Sequence, residues 1–488
     1  MIAEAIITAL QALLVVFVML GVVPPLVGAW QYLLIGLHGR RSHLRSTAAV
    51  LPRTAVLIPA WNEEAVIGAS VERLLAMDYP ADRLRVYVVD DASTDGTAKA
   101  VRACARRHRG AVVHVLNKSG GKGKAHALNR GLEVILADDW AEAVLITDAD
   151  VQFEALTLRR MTRHLADPSV GAVTAYIREG SRPAGYLNRF IGYEYVTAQA
   201  AVRRSQNVLG AMGCLAGGAQ LHTRANLAAL GGRIDTSTLA EDTVTTFETQ
   251  LAGRRSVFEP AAITWAEEPD GLPALWRQRM RWARGNLQVT RRYARIFFRP
   301  GVGGRLGGLT FGLGWFCVLL QPALMIAVTG ALVALRLTDP PGAWESLRLI
   351  WSVTALCYVF TTAFTLLIDP ETARRSWRQG ILFPGIVSLG IIVYALAPGL
   401  VQPWLPVSAD VVGWFLTFWL AGCMAVAWLA IAVERRRGGM LLSKVLLYLA
   451  GYGAFLCLVT LGSYVAELRG TERRWDKTEK SGRALLTS

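Results

Sequence analysis

Ala143-Val-Leu-Ile146-Thr-Asp148-Ala-Asp150 is the stretch that decides the fold. Four aliphatic residues form a buried strand, and the strand runs directly into two carboxylates spaced i and i+2. Working outward, the same grammar recurs on the N-terminal side. Thr54-Ala-Val-Leu-Ile58 reads as a strand followed by a helix over Glu63 to Met77, and Arg85-Val-Tyr-Val-Val89 as a strand followed by a helix over Thr97 to Arg107. Val112 to Leu116 is a third strand and Lys124 to Ala137 a third helix, so 143–146 is the fourth strand. Strands alternating with helices build a mostly parallel, Rossmann-like α/β sheet with helices on both faces. Such sheets bind ligands beyond the carboxyl ends of their strands. Asn62 and Glu63, Asp90 and Asp91, and Asp148 and Asp150 all lie just past strand ends, so three strand ends converge on one crevice.

Outside this region the chain is apolar. It has 488 residues, of which 53% are hydrophobic and 18% charged, and its mean hydropathy is +0.34, above the usual soluble range. Residues 5 to 37 form an apolar run interrupted by Pro24-Pro25, long enough for a membrane anchor and too long for a signal-peptide core. Arg40, Arg41, Arg45 and Arg53 follow it and place the next segment in the cytoplasm. Beyond Pro300 five further spans are predicted at 306–335, 349–368, 380–403, 411–434 and 442–467. Five crossings put the basic tail, with Arg469, Arg473, Arg474, Lys477 and Lys480, on the side opposite the other basic loops. That conflicts with the positive-inside tendency, and a re-entrant or interfacial segment would remove the conflict.

The predicted organisation is therefore an N-terminal membrane segment over 1–38, a cytosolic α/β domain over 39–270, interfacial amphipathic helices over 271–305, about five membrane helices over 306–467 and a polar basic tail over 468–488. The net charge of +15 belongs with anionic membrane lipids rather than nucleic acid, because no nucleic-acid-binding motif accompanies it. The six cysteines show no CxxC spacing, which predicts neither a disulfide framework nor structural zinc. His38, His43, His108, His114, His164 and His222 show no metal-ligand spacing.

Each polar motif carries its own chemistry. Asp148 and Asp150 can both face one hard cation through oxygen, and such an ion neutralises charge on a departing diphosphate. In Asp90-Asp91-Ala-Ser-Thr-Asp95-Gly96-Thr97, residues 93–97 read as a helix cap, whereas two adjacent carboxylates at a strand tip call for a ligand or cation. Gly120-Gly-Lys122-Gly-Lys124 lacks P-loop spacing but still favours an anion before a helix. Glu241-Asp242 offers either a general base for a hydroxyl or an acidic helix start. Gln278, Arg281 and Trp282 share roughly one helical face; Arg suits a phosphate, and Trp a stacked sugar ring or a lipid interface.

Ile58-Pro59-Ala-Trp-Asn62-Glu63-Glu64, Val89-Asp90-Asp91-Ala-Ser-Thr-Asp-Gly-Thr97, Gly123-Lys124-Ala-His-Ala-Leu128, Asp148-Ala-Asp150, Ala240-Glu241-Asp242 and Gln278-Arg-Met-Arg281-Trp282 occur in that order. Together, over about residues 54–300, they resemble the membrane-integrated family 2 glycosyltransferases, which include cellulose, hyaluronan, chitin-type and poly-N-acetylglucosamine synthases. The resemblance implies a GT-A fold, an inverting transfer from a UDP-sugar, and Mg²⁺ or Mn²⁺ as cofactor. It implies that Asp90 or Asp91 contacts the uridine, with Pro59, Asn62, Glu63 and Lys124 also in the donor site. Asp148 and Asp150 would hold the diphosphate and metal, Asp242 would be the general base, Arg281 would steady the leaving group, and Trp282 would stack under the acceptor sugar.

It further implies a processive synthase that extrudes a β-linked polysaccharide through its spans, with a single-sugar glycolipid transferase as the alternative. Gly171-Ala-Val-Thr174 and the approach to Gly217 are most similar to the poly-N-acetylglucosamine type, which favours UDP-GlcNAc. Two departures stand out. Ala240 replaces the usual Thr before the acids, and Ala92 replaces a usual Gly, which is tolerable where no positive φ is needed.

Overall fold

The computed structural model describes residues 2–40, 50–117, 119–405, 407–437 and 439–472. Arg41, His43, Arg45, Arg473, Arg474, Lys477 and Lys480, used above in the sequence reading, lie outside the described residues. The chain divides into two compact units: Met1–Leu33 with Gly271–Arg284 and Leu313–Thr471, and Leu34–Asp270 with Gly285–Gly312 and Glu472–Ser488.

The second unit is built on one eight-stranded sheet. Its elements run β1 (Thr54–Ala60), α3 (Ile67–Leu75), β2 (Leu84–Asp90), α4 (Thr97–Arg107), β3 (Val112–Leu116), α5 (Lys124–Ala137), β4 (Ala143–Ile146), β5 (Gln152–Phe153), α6 (Thr157–Thr162), β6 (Val170–Glu179), α7 (Tyr186–Glu194), a π-helical turn over Tyr195–Ala201, α8 (Val202–Leu209), β7 (Gln220–Thr223), α9 (Arg224–Ala229), α10 (Glu241–Leu251) and β8 (Arg255–Ala266). The label α1 belongs to Ile2–Met19 and α2 to Val23–His38. Strand order is β3-β2-β1-β4-β7-β6-β8-β5. The four strands read from the sequence pair in parallel as expected, Val56 lying between Val86 and Leu145.

Beyond β4 the sheet reverses. β7 is antiparallel to both β4 and β6, while β6 and β8 are parallel to each other. An antiparallel neighbour brings its start to the end of β4, so the glycines before β7 arrive beside Asp148. The sequence reading lacked β5 to β8. β7 carries Gln220 and His222, which mask an apolar pattern, and the β6–β8 pairing has two register shifts. The helix expected over 63–77 is shorter, because Asn62 has φ +55 and a turn holds the chain until Ile67.

The core beneath the crevice is Leu57, Val89, Val115, Leu128, Leu132, Ile135, Val144 and Ile146. Each large side chain removed from water there contributes roughly 1.5–3 kcal/mol. α5 lies on the sheet at Gly131, where a Cβ would fall 2.3 Å from Leu57 Cδ1 and 2.8 Å from Val89 Cγ2. That close approach sets where the first residue of α5, Lys124, points.

α11 (Leu272–Arg292) begins in the first unit and ends in the second, and α12 (Pro300–Gly303) follows. The first unit is helical: α13 (Leu309–Thr338), α14 (Pro340–Ile368), α15 (Pro370–Ile381), α16 (Ile386–Leu396), α17 (Pro398–Val401), α18 (Ala409–Arg437), α19 (Met440–Ala450) and α20 (Tyr452–Leu468). Among the described residues four helices are long and apolar enough to cross a membrane: Glu4–His38, Leu309–Thr338, Pro340–Ile368 and Ala409–Arg436. The count reaches six if each of two bent pairs, α15–α16 at 76° and α19–α20 at 95°, is one span. The segments expected as spans at 380–403 and 442–467 are thus not straight helices. The N-terminal run is one continuous helix long and apolar enough to cross a membrane, α1 passing into α2 through a 3₁₀ turn at Leu20–Val22. Pro24 and Pro25 sit in the first turn of α2, where a missing N–H is harmless. Val18, Val328, Leu332, Leu347, Trp351, Ile391 and Leu416 form its core.

Candidate active site

The first two motifs form one interlocked loop pair. Backbone N–H groups of Asn62, Glu63 and Glu64 donate to Ser93 Oγ (3.0 Å), Thr97 Oγ1 (2.7 Å) and Asp95 Oδ2 (3.1 Å). In return, Thr94 N–H donates to Asn62 Oδ1 (2.8 Å) and Gly96 N–H to Glu64 Oε2 (2.9 Å). Asn62 tolerates its left-handed backbone, as Asn often does in turns. Pro59 is the penultimate residue of β1.

Asp90 and Asp91 are both buried, and internal donors meet them. Asp90 Oδ1 accepts from Ser93 N–H at 2.9 Å, and its Oδ2 lies 3.6 Å from His114 Nε2. Asp91 accepts from Asn117 Nδ2 at 2.5 Å and from Gly121 N–H at 3.1 Å, one donor per oxygen. The adjacent carboxylates therefore serve as loop clamps, an account the motif alone did not supply. Burial lowers the pKa of His114 against the opposing pull of Asp90. Ala92 has φ +59, so the position does need a positive φ, and alanine occupies it under strain.

The third, fourth and fifth motifs meet at Lys124. Its Nζ lies 2.5 Å from Asp148 Oδ1 and 3.6 Å from Glu241 Oε1, and donates to the Gly217 carbonyl at 3.2 Å. The lysine side chain is 9% exposed and that of Asp148 37%. Burial works against its charge, but Asp148, Glu241 and Asp242 outweigh it and hold its pKa above the ordinary range. Glu241 and Asp242 thereby separate in role. Glu241 turns inward as a counter-ion, whereas Asp242 receives Thr243 N–H on Oδ1 at 2.7 Å and lies beside Gly217. A Cβ on Gly217 would stand 3.0 Å from Asp242 Oδ2 and 3.2 Å from Lys124 Nζ; one on Gly218 would stand 2.9 Å from Val151 Cγ2. Glycine at both positions lets the backbone pass directly over the carboxylates.

Asp150 follows Asp148 on the same half-buried turn. Two carboxylates form a sufficient protein donor set for a small hard cation that takes its remaining ligands from phosphates and water. The second oxygen of Asp148 is 3.5 Å from the empty Cβ position of Gly218, so room exists beside it. The residues present fit such an ion.

Several neighbours had no sequence signature. Arg203, on α8 just past the π-helical turn, is buried and donates to Gln199 Oε1 at 3.0 Å. Cys214 lies on the glycine-rich segment that Thr246 and Gln250 of α10 tether; burial first and Asp242 second raise its pKa, so it stays a thiol. Only the glycines of that segment were legible. Ala240, lacking the usual hydroxyl, packs against Gly285 of α11, whose Cβ would come 2.6 Å from Ala240 Cβ. The second half of α11 continues this docking: Gln288 Oε1 accepts from Leu239 N–H at 2.9 Å, and Arg292 pairs with Asp235 (2.5 Å) and Glu248 (2.9 Å).

Gln278, Arg281 and Trp282 lie on the first half of α11, in the other unit. Arg279, which the motif reading passed over, donates to Gln278 Oε1 at 2.5 Å and stacks 4.1 Å above the Trp282 ring.

Residues 52–285 match the family described as "Glycosyltransferase like family 2". That stretch contains every motif above, with the clustered acids at its centre. It is a family 2 glycosyltransferase domain. The glycosyltransferase domain is similar to a "Probable glycosyltransferase YdaM" of Bacillus subtilis (strain 168), 34% identical over 258 residues, covering 52% of this chain and 60% of that protein. It is also similar to a poly-beta-1,6-N-acetyl-D-glucosamine synthase of Staphylococcus aureus (strain COL), 28% identical over 234 residues, covering 48% of this chain and 54% of that one. The match spans a little over half the length of these relatives. A solved mannosyltransferase, PcManGT from Pyrobaculum calidifontis in complex with GDP-Man and Mn²⁺, has the same fold, with a TM-score of 0.53 at 22% identity over 81% of this chain and 99% of that chain. The sheet is thus of GT-A type, as the resemblance implied.

Proposed function

We propose that the protein is an inverting, membrane-embedded glycosyltransferase that polymerises a β-linked polysaccharide from a UDP-sugar, UDP-GlcNAc before others, and passes the product across the membrane. The observation that carries this reading is the meeting of Asp148, Lys124, Glu241, Asp242 and Gly217 at strand ends. The likeness to a poly-N-acetylglucosamine synthase supports the donor, and the apolar helices support a membrane location with the catalytic domain on the cytoplasmic side.

The chemistry follows from the residues. Asp242 accepts the proton of an acceptor hydroxyl as that oxygen bonds to the anomeric carbon. The bond from that carbon to the diphosphate breaks, and the nucleoside diphosphate leaves with the electron pair. Asp148 and Asp150 would hold a Mg²⁺ or Mn²⁺, which supplies charge neutralisation at the diphosphate. Lys124 holds Asp148 and the base motif in register. The interlocked loops at Asn62, Glu63, Asp90 and Asp91 form the floor for the nucleotide. By the family resemblance, Arg281 would offer a permanent positive charge to a leaving group and Trp282 a platform for an acceptor sugar.

Purified protein incubated with UDP-GlcNAc, UDP-glucose or UDP-glucuronate and divalent metal should release UDP from one donor, and chelation should stop it. Asp242→Asn should reduce release about 10²–10⁴-fold; unchanged release would refute the enzyme reading. Product length separates polymerisation from the alternative, transfer of one sugar to a lipid.

A further inference from the structure

We infer that Cys214 is a positioning residue for the transfer reaction: its side chain holds the buried cation of Arg203 away from the Asp242 carboxylate, which leaves that carboxylate an oxygen for the acceptor hydroxyl. The activity part rests on the glycosyltransferase reading above; the spacing does not, and it has its own test.

Asp242 lies near two buried cations and pairs with neither. Lys124 is close enough for the charge of Asp242 to act on it, but its Nζ is committed to Asp148, Glu241 and the Gly217 carbonyl. Arg203, on α8, is 7% exposed and feels the charge of Asp242 in the same way. Among the described residues no carboxylate comes within ion-pairing distance of its guanidinium. Its partners are the Gln199 side chain, where Nη1 donates to Oε1 at 3.0 Å, and the sulfur of Cys214.

A guanidinium taken out of water without a counter-ion is destabilising, and burial does pull the pKa of Arg203 down. The obvious relief is a direct pair with Asp242. Arg and carboxylates favour a bidentate geometry, in which two N–H donors occupy both oxygens. A base held that way has no oxygen left for a substrate. The sulfur stands between them. Cys214 is within hydrogen-bonding reach of Arg203 on one side and of Asp242 and Thr243 on the other, and its Sγ lies 3.1 Å from the Leu215 carbonyl. A thiol is a weak donor and a weak acceptor, so it separates the two charges while claiming little from either.

The backbone keeps the sulfur in the gap. Met212 N–H donates to Gln250 Oε1 at 2.8 Å and Leu215 N–H to Thr246 Oγ1 at 2.8 Å, both on α10, the helix of Asp242. Between them, Gly213 N–H donates to Gln206 Oε1 at 3.0 Å, on α8, the helix of Arg203. The segment carrying Cys214 is therefore strapped to both helices. Gln199 belongs to the π-helical turn before α8, a rare geometry that concentrates at functional sites.

The carboxylate itself is left half used. Its Oδ1 accepts from Thr243 N–H at 2.7 Å. Its Oδ2 faces the place where Gly217 has no Cβ, 3.0 Å away, and that space is open to an acceptor hydroxyl.

Two cycles on the full chain test the spacer. Cys214→Ala lets the guanidinium reach the carboxylate, so kcat for sugar transfer should fall about tenfold per folded enzyme, with the donor KM and the half-saturating Mn²⁺ concentration changed less than about twofold. In an Arg203→Met background, where no cation can close the gap, the same substitution should lower kcat less than about threefold. Equal losses in the two backgrounds, or no loss beside Arg203, overturn the proposal. The second cycle needs no activity. Asp242→Asn should lower Tm by at least about 2 °C more in Cys214→Ala than in the parent, since only there do the two charges touch. Equal shifts overturn the spacer whether or not a donor is turned over. If the parent turns over no donor while the melts behave as expected, the enzyme reading fails and the spacing stands. If Cys214→Ala does not fold, Cys214→Ser, whose shorter side chain opens part of the gap, takes its place in both cycles. Its kcat loss should then be about threefold and vanish with Arg203→Met, and a loss that persists, or none beside Arg203, overturns the proposal.

Discussion

Ala92→Gly should make the protein more stable. Ala92 is exposed, has φ +59, and lies at the turn where Asp91 hands the chain to the interlocked loop. An L-residue in the left-handed region costs about 1–2 kcal/mol. Its methyl group buries little, so removing it forfeits almost no contact. Glycine's greater freedom in the unfolded chain takes back about 0.4–1 kcal/mol. The net gain is about 0.5–1 kcal/mol, or roughly 1–4 °C in Tm for a domain of this size. Gly121 provides the mirror experiment. It has φ +85 and open space where a Cβ would go, so Gly121→Ala meets no steric clash, adds backbone strain that outweighs the loss of unfolded-chain freedom, and should lower Tm by a comparable amount. Ala92→Val should lower it further, since β-branching is least tolerated at positive φ. Scanning fluorimetry of the purified protein in one detergent at one scan rate reads all three. A lower Tm for Ala92→Gly, or a higher one for Gly121→Ala, refutes the strain argument.

Gly131→Ala should destabilise by about 1–2 kcal/mol, because overpacking a core costs about 1–3 kcal/mol and the better helix propensity of Ala returns part of it; a raised Tm would show that Leu57 and Val89 yield freely. Lys124→Met and Asp148→Asn should be non-additive in a double-mutant cycle on stability, with a coupling of about 1–2 kcal/mol, reduced because the Asp148 side chain is 37% exposed; additivity would mean the pair does not interact in solution. His222 is fully buried, its pKa pushed down to about 4 by burial. The unfolded chain takes up its proton near pH 6.5 and the folded chain does not, so stability is lost as pH falls from about 6.5 to 4, at about 1.36 kcal/mol per unit and about 3 kcal/mol in all. Burial raises Glu179 to about 7, which acts in the opposite sense, so the test is a difference: His222→Gln should flatten the acid-side fall relative to the parent, and identical slopes would contradict it.

The local elements on the N-terminal side were legible because each strand is a short aliphatic run and each following helix starts at a residue the pattern marks, as at Thr97 and Lys124. The strand-end position of Asp148 was legible for the same reason, and the fold brings Lys124 to it. Glu241 and Asp242 were not separable in sequence, because adjacent residues at a helix start diverge only when a neighbour such as Lys124 claims one of them. Asn117 and Cys214 act through partners distant along the chain, and no spacing encodes that.

By itself, then, the sequence determined the alternating α/β core, the order of the acidic motifs and the number of apolar segments, since these depend on local periodicity and composition. The tertiary structure decided the antiparallel insertion of β7, the partition of Glu241 and Asp242, the strain at Ala92 and the break between α19 and α20 at Gly451. Those are properties of contacts between residues far apart in the chain, where burial, charge and steric closeness are set by the fold and not by the neighbours in sequence.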